Sequence, residues 1–316
     1  MTTRRRFLGQ TTGAVVCAGV WPGPFAGMGT ALAAGAGPSI RFPAAARERI
    51  AIASYPFREF IAGSADKPGG GKMELKEFAA HVSAKFNIKK IEPWSPHFRS
   101  LDKRNLEEIR EAVEKAGGGI VDIAVDGEYS PYAMDSAERD RAVADSKQWI
   151  DAAVTIGSPS VRTHIPVAKD SKPDVERTAE SLKRVAEYGA AKNVVVHLEN
   201  DDPISEDPFF IVQVIEKVNS PWLHALPDFG NSVVAHDDEY AYKGVDEMFA
   251  HAYGISHVKE IDADEKGKIA YVDLPRTFGI AKKNGYKGYF SMEWDSPGDP
   301  YAGTAGLIEK TLQSLS

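Results

Sequence analysis

Four times in the C-terminal half of this chain, a short apolar run ends in a carboxylate or an imidazole. Val194-Val195-Val196-His197-Leu198 leads into Glu199-Asn200. The run from Trp222 leads into Asp228-Phe229-Gly230-Asn231, the run from Gly254 into His257-Val258-Lys259-Glu260, and the run from Tyr286 into Glu293-Trp294-Asp295. Consecutive valines are stiff at χ1 and fit a strand buried on both faces. A charge inside such a strand is expensive unless it is paired or binds a metal. Glu199 therefore belongs at the strand's C-terminal end, where a buried sheet opens into a pocket. Glu199, Asp228, His257 and Glu293 lie 29, 29 and 36 positions apart, each interval about one strand plus one helix. Four hard oxygen and nitrogen donors on four successive strand ends make a metal site with room left for substrate.

The same alternation runs upstream. Strands are predicted at Ile50–Ser54, Ile88–Ile91, Ile120–Val125, Ser160–Thr163, Val194–Leu198, Leu223–Leu226, Ile255–Val258 and Tyr289–Met292. Between and after them, helices are predicted at Met73–Phe86, Leu101–Lys115, Ser136–Thr155, Asp174–Ala191, Asp207–Val218, Val245–Tyr253, Asp273–Asn284 and Thr304–Leu315. Strict alternation requires a parallel sheet, because each crossover helix returns the chain to the same end. Eight units predict a single closed eight-stranded parallel (β/α) TIM barrel, for which 316 residues suffice. No Gly-x-Gly-x-x-Gly follows the first strand, which argues against a dinucleotide-binding sheet.

The first stretch is of another kind. Thr3-Arg4-Arg5-Arg6-Phe7-Leu8-Gly9 precedes a small, weakly apolar run, and Ala31-Leu32-Ala33 offers a small-x-small cleavage site. This resembles a twin-arginine export signal, which implies a periplasmic or secreted protein. The expected organisation is a signal over 1–33, a linker over 34–49 and the barrel over 50–316. Cleavage would remove Cys17, the sole cysteine, and three arginines, taking the net charge from −7 to −10. It would leave no segment to hold the chain to a membrane. A negative chain without a long basic stretch argues against a nucleic-acid partner. Homo-oligomerisation is compatible with the sequence.

In a barrel all strand C-termini gather at one mouth. Three carboxylates and one imidazole there favour one divalent ion such as Mn, Mg, Co or Zn, since softer metals take sulfur. A lone Glu at a strand end is often a cap or surface ion pair, but four donors in successive register resist that reading. Glu92, Trp94 and His164 follow strands two and four, and are read as contacts to substrate. For Glu92 and His164 the alternative is a buried hydrogen bond. Lys259 shares a side with His257 and is placed to stabilise an oxyanion, while His197 lies one layer below Glu199 as a core partner. Tyr55, Phe57, Trp94 and Trp294 form either a stacking wall for a sugar or plain core.

His197-Leu198-Glu199-Asn200, Asp228-Phe229-Gly230-Asn231, His257-Val258-Lys259-Glu260 and Met292-Glu293-Trp294 resemble the strand-end motifs of the sugar phosphate isomerase/epimerase family, within the xylose isomerase-like barrel superfamily. The resemblance runs from about Ile50 to Ser316. It implies a metal site of Glu199, Asp228, His257 and Glu293, with Glu199 and Glu293 doubling as the proton-transfer pair. It also implies a small carbohydrate substrate and isomerisation or epimerisation through loss of a proton next to a carbonyl. Asn231 stands where ketose 3-epimerases carry a histidine and is read as a substrate contact. Ala263 stands where they tend to carry an arginine. Glu92 and Asn231 also replace histidines that the endonuclease relatives need for a three-metal cluster. A metal-dependent lyase or hydratase acting on 3-keto-glycosides is the rival expectation, and a non-catalytic carbohydrate-binding barrel is a third.

Overall fold

Short strands and long helices alternate through the structure, a computed structural model that describes residues 37–63, 71–263 and 267–316. The expected export signal lies outside those residues. The strands are β1 (Ile50–Ala53), β2 (Lys90–Glu92), β3 (Gly119–Ile120), β4 (Ser160–Thr163), β5 (Val195–Glu199), β6 (Leu223–Leu226), β7 (Ile255–Val258), β8 (Ile261–Ala263), β9 (Ile269–Tyr271) and β10 (Tyr289–Met292). The helices are α1 (Leu75–Phe86), α2 (Lys103–Lys115), α3 (Ser136–Ile156), α4 (Val175–Lys192), α5 (Pro208–Val218), α6 (Asn231–Ala235), α7 (Asp238–Ala250), α8 (Leu274–Lys283) and α9 (Pro300–Leu315).

Two parallel arcs, β3-β2-β1-β10-β7 and β4-β5-β6, make the sheet. Single bridges join them, Ala124 with Arg162 on one side and Asp228 with His257 on the other. The ring order is thus sequential, with β10 as the eighth stave, as the alternation predicts. The strand predicted at Ile120–Val125 keeps a regular ladder only to Ile120. Beyond it the Asp122 carboxylate accepts the Arg162 backbone N–H at 3.0 Å and the Ser160 hydroxyl at 2.5 Å. The backbone still bonds across, with the Arg162 N–H also reaching Ile123 O at 2.9 Å and the Val125 N–H reaching Arg162 O at 3.0 Å, but only as isolated bridges.

Sequence explains the helix ends. Asp135, Asp174, Asp207, Asp237, Asp273 and Asp299 each accept a first-turn backbone N–H, which satisfies orphan donors and suits the helix dipole. Asn87, Asn193 and Asn219 end α1, α4 and α5 in the left-handed region, which asparagine tolerates better than other side chains. The sixth predicted helix begins at Asp238 instead of Val245, because Asp237 caps it. The last begins at Pro300 instead of Thr304 for the same reason. The loops after β6 and β7 also fold, into α6 and the antiparallel β8–β9 hairpin.

The main core lies between the ring of helices and the outer face of the barrel. Inside the barrel, Ala51, Val121, Leu226, Ile255 and Tyr289 form a separate cluster with Phe42 against it. Phe42 is held edge-on to Tyr253 and Tyr289. The Tyr253 hydroxyl donates to Pro38 O at 2.9 Å and accepts from the Ile40 N–H at 3.1 Å. The stretch expected as a linker therefore packs onto the barrel floor. Above it lies a polar layer in which His197 Nδ1 pairs with Asp122 at 3.0 Å. His197 presses on Gly254, where a Cβ would sit 2.7 Å from the imidazole, so only glycine fits. No helix among the described residues is long and apolar enough to cross a membrane.

Candidate metal centre

Strand geometry brings Glu199, Asp228, His257 and Glu293 together at the mouth. Each offers one ligating atom, and these atoms all lie within 4.8 Å of one another. His257 is the hub. Its Nδ1 lies 2.7 Å from Glu199 Oε1, 3.2 Å from Glu293 Oε2 and 4.0 Å from Asp228 Oδ2. All four residues are buried.

Glu92 corrects an expectation. It is fully buried and does not line the mouth, for both its oxygens face His257 Nε2, at 2.9 and 3.0 Å. A carboxylate on one imidazole nitrogen orients the ring and leaves the other for a metal. Glu92 thus acts on the hub from behind, and substrate cannot reach it.

Asp228 carries the sharpest sign of a ligand. Its Oδ1 accepts the Gly230 and Asn231 backbone N–H groups, both at 2.7 Å. Its Oδ2 is buried and has no hydrogen-bond partner. Such an orphan is costly in a protein interior unless an ion satisfies it. Asn200 locks this strand end, accepting the Asp228 N–H at 2.7 Å and donating to Asp228 O at 3.2 Å. Burial, reinforced by Glu199 and Glu293, pushes the Asp228 carboxyl up to about 8 even with Lys259 nearby. Burial alone would lower the pKa of His257, but Glu199, Glu293 and Glu92 raise it well above the usual range. Three clustered carboxylates, an orphan oxygen and an imidazole nitrogen aimed among them fit a hard divalent cation.

Two cations frame the ligands. Arg162 Nε lies 3.0 Å from Glu199 Oε2, although its N–H is not aligned for a hydrogen bond. The contact is an ion pair. Arg162 Nη1 also reaches Asp126 at 2.8 Å. Lys259 Nζ donates to Asn231 Oδ1 at 2.8 Å and lies 3.2 Å from Glu293 Oε2. Against the penalty of burial, His257 and Arg162 hold Glu199 below its usual pKa, and His257 and Lys259 do the same for Glu293.

Glu199 and Glu293 open onto a cavity of about 880 Å3. Trp94, His164, Lys259 and Asn231 line it, as does Tyr55. Tyr55 meets Trp94 edge to face at 5.0 Å, and Trp94 Nε1 donates to Asp126 at 2.7 Å. Phe57 is instead core, packed on Phe78 and Tyr301. Trp294 packs against Gly303 of α9. The sequence reading did not single out Arg162, Asp126 or Glu206. An arginine inside a buried four-residue strand, Ser160–Thr163, was the available signal for Arg162, since a buried guanidinium needs carboxylate partners.

A family model described as a xylose isomerase-like TIM barrel matches residues 80–315. No curated protein matches the chain. Among solved structures, a xylose isomerase-like TIM barrel protein from Mycobacterium smegmatis in complex with magnesium is 20% identical, with TM-score 0.62, covering 84% of this chain and 96% of that one. D-allulose 3-epimerase from Methylomonas sp. is 14% identical, with TM-score 0.65, covering 87% and 100%. 3-Keto-D-glucoside 4-epimerase from E. coli is 13% identical, with TM-score 0.61, covering 83% and 98%. At these identities the likeness speaks for the fold.

Proposed function

This chain belongs to the xylose isomerase-like TIM barrel family, and from that premise we propose that it is a divalent-metal-dependent isomerase or epimerase of an uncharged sugar. The observation that carries the reading is the convergence of Glu199, Asp228, His257 and Glu293 at the foot of an open cavity. A divalent ion held by these four residues would polarise a sugar carbonyl and its neighbouring hydroxyl, making the adjacent carbon acid stronger. Glu199 and Glu293 are the proton-transfer pair. Both stay ionised at neutral pH, held so by His257 with Arg162 and with Lys259. As carboxylates from β5 and from just beyond β10, they would take the proton and return it to the other face of the sugar. Lys259, fixed by Asn231, places a positive charge beside Glu293 where oxyanion character develops. Tyr55 and Trp94 offer an aromatic wall to the sugar's apolar face.

The charge of the wall supports the uncharged substrate. Among the described lining residues, carboxylates outnumber lysine and arginine seven to three. Arg162 is paired with Glu199 and Asp126, Lys259 with Glu293, and Lys268 Nζ donates to Val234 O at 2.8 Å. A phosphate or carboxylate on the substrate would meet mostly like charge.

The test is exchange in deuterated water. Metal-loaded protein incubated with free ketoses, aldoses and 3-keto-glucosides should incorporate deuterium at the carbon next to the carbonyl of its true substrate. A complete lack of exchange and conversion across that panel overturns the reading. The proposal extends to export through Arg4, Arg5 and Ala31-Leu32-Ala33. Protein recovered from the periplasm should begin near Ala34, and a full-length chain recovered there would contradict it.

A further inference from the structure

We propose that His164, oriented by Glu206, donates a proton to an oxygen leaving from the carbon β to the carbonyl. The site would then release an alcohol from keto glycosides by elimination. This rests on the proton abstraction proposed above and adds a second group to it.

The geometry is that of a built acid. His164 follows β4, lines the cavity and exposes 20% of its side chain. Its Nδ1 lies 3.1 Å from Oε1 of Glu206, whose side chain is fully buried. Glu206 is fixed in turn, since Oε1 accepts the Ile165 N–H at 2.7 Å and Oε2 accepts the Asp202 N–H at 3.0 Å. Among the described residues no lysine or arginine forms an ion pair with Glu206, so its charge is matched by His164. With Nδ1 engaged, Nε2 is the remaining donor, and it makes no hydrogen bond within the described residues.

The surrounding charges favour the acid form. Burial opposes it, Glu206 outweighs that penalty, Arg162 opposes and Asp201 assists, leaving His164 pushed up to about 9. The Asp145 carboxylate of α3 approaches the same wall at Gly127. Arg162 also sets the spacing. Its Nη1 lies 3.3 Å from His164 Nδ1 and its Nε 3.0 Å from Glu199 Oε2. One guanidinium thus lies between His164 and Glu199, and both residues line the same cavity.

Epimerisation breaks no bond to oxygen and has no use for an acid at this place. Elimination does. A carboxylate of the pair takes the proton α to the carbonyl, and the electron pair of that C–H bond becomes a carbon–carbon double bond to the β carbon. The β C–O bond breaks with its electrons on oxygen, and that oxygen takes the His164 proton. An alcohol and an unsaturated keto sugar leave. The proton on the carboxylate returns to His164 through solvent, with no net oxidation or reduction.

The experiment uses metal-loaded protein with the methyl and p-nitrophenyl 3-keto-glucosides. It reads deuterium exchange at the α carbon and alcohol release in parallel. In His164→Gln, the ratio of methanol release to exchange should fall by about 10²–10⁴, the usual contribution of a general acid. Release of p-nitrophenol should fall far less, since nitrophenolate leaves without help. In Glu206→Gln, the alkaline limb of methanol release should move to lower pH, which a merely structural role for Glu206 would not produce. Exchange without release of either alcohol by wild type overturns this proposal and leaves the proton abstraction standing. Equal loss of exchange and release in His164→Gln, or an unmoved alkaline limb in Glu206→Gln, overturns it as well. Absence of both exchange and release in wild type overturns both proposals.

Discussion

Glu293→Gln is expected to lose about 10²–10⁴ of its turnover, the range associated with removing a positioned acid–base group, while keeping its fold and much of its ion. The amide has nearly the shape of the carboxylate and retains an oxygen to ligate. Glu199, Asp228 and His257 remain within reach of the same point. What disappears is the negative charge that accepts the proton, together with its pairing to Lys259 at 3.2 Å. Solvent exchange at the α carbon and ion content should be measured on the same sample. Near wild-type exchange would make Glu293 a ligand only, and the two-carboxylate account would have to be abandoned.

Arg162→Leu should cost about 3–5 kcal/mol of stability in chelator-treated protein, as expected when one partner of a buried ion pair is removed. The guanidinium and Glu199 are exposed by only 4% and 3%, so the carboxylate left behind stays in a poor solvent for charge. Asp126 contributes little to this loss, being 38% exposed and able to hydrate. Adding Glu199→Gln to Arg162→Leu should recover part of the loss, because it removes a buried carboxylate whose remaining cation, His257 at 2.7 Å, is shared with Glu92 and Glu293. Denaturant titrations of the four proteins in that cycle check both claims. A single-variant loss below about 1 kcal/mol would place the pair among those that stabilise no more than surface ion pairs.

The barrel was legible because eight short apolar runs alternate with amphipathic helices, and that alternation admits few topologies. The four clustered donors were legible for a related reason, since each sits where an apolar run turns polar. Glu92 was misplaced because sequence locates a strand end but not what lies across the barrel axis. Ring closure puts that carboxylate behind His257 rather than beside a substrate. Arg162 was passed over because a strand arginine gives no sign of which carboxylates will surround it. Asp122, counted as part of a strand, lies where that strand's ladder thins to isolated bridges, and its carboxylate bonds across to β4. The β8–β9 hairpin read as loop because its strands are only three residues each, too short for a period to emerge.

The central claim is that four strand ends form one divalent-cation site. Calorimetric titration of chelator-treated protein with Mn2+, Mg2+, Co2+ and Zn2+, with ion content measured on the active protein, tests it most directly. One ion should bind per chain. Affinity should rise with pH, because the ion must displace protons from the Asp228 carboxyl, pushed up to about 8, and from His257, raised well above its usual range. Asp228→Asn should weaken the binding. Active protein that contains no divalent ion and takes up none would contradict the account.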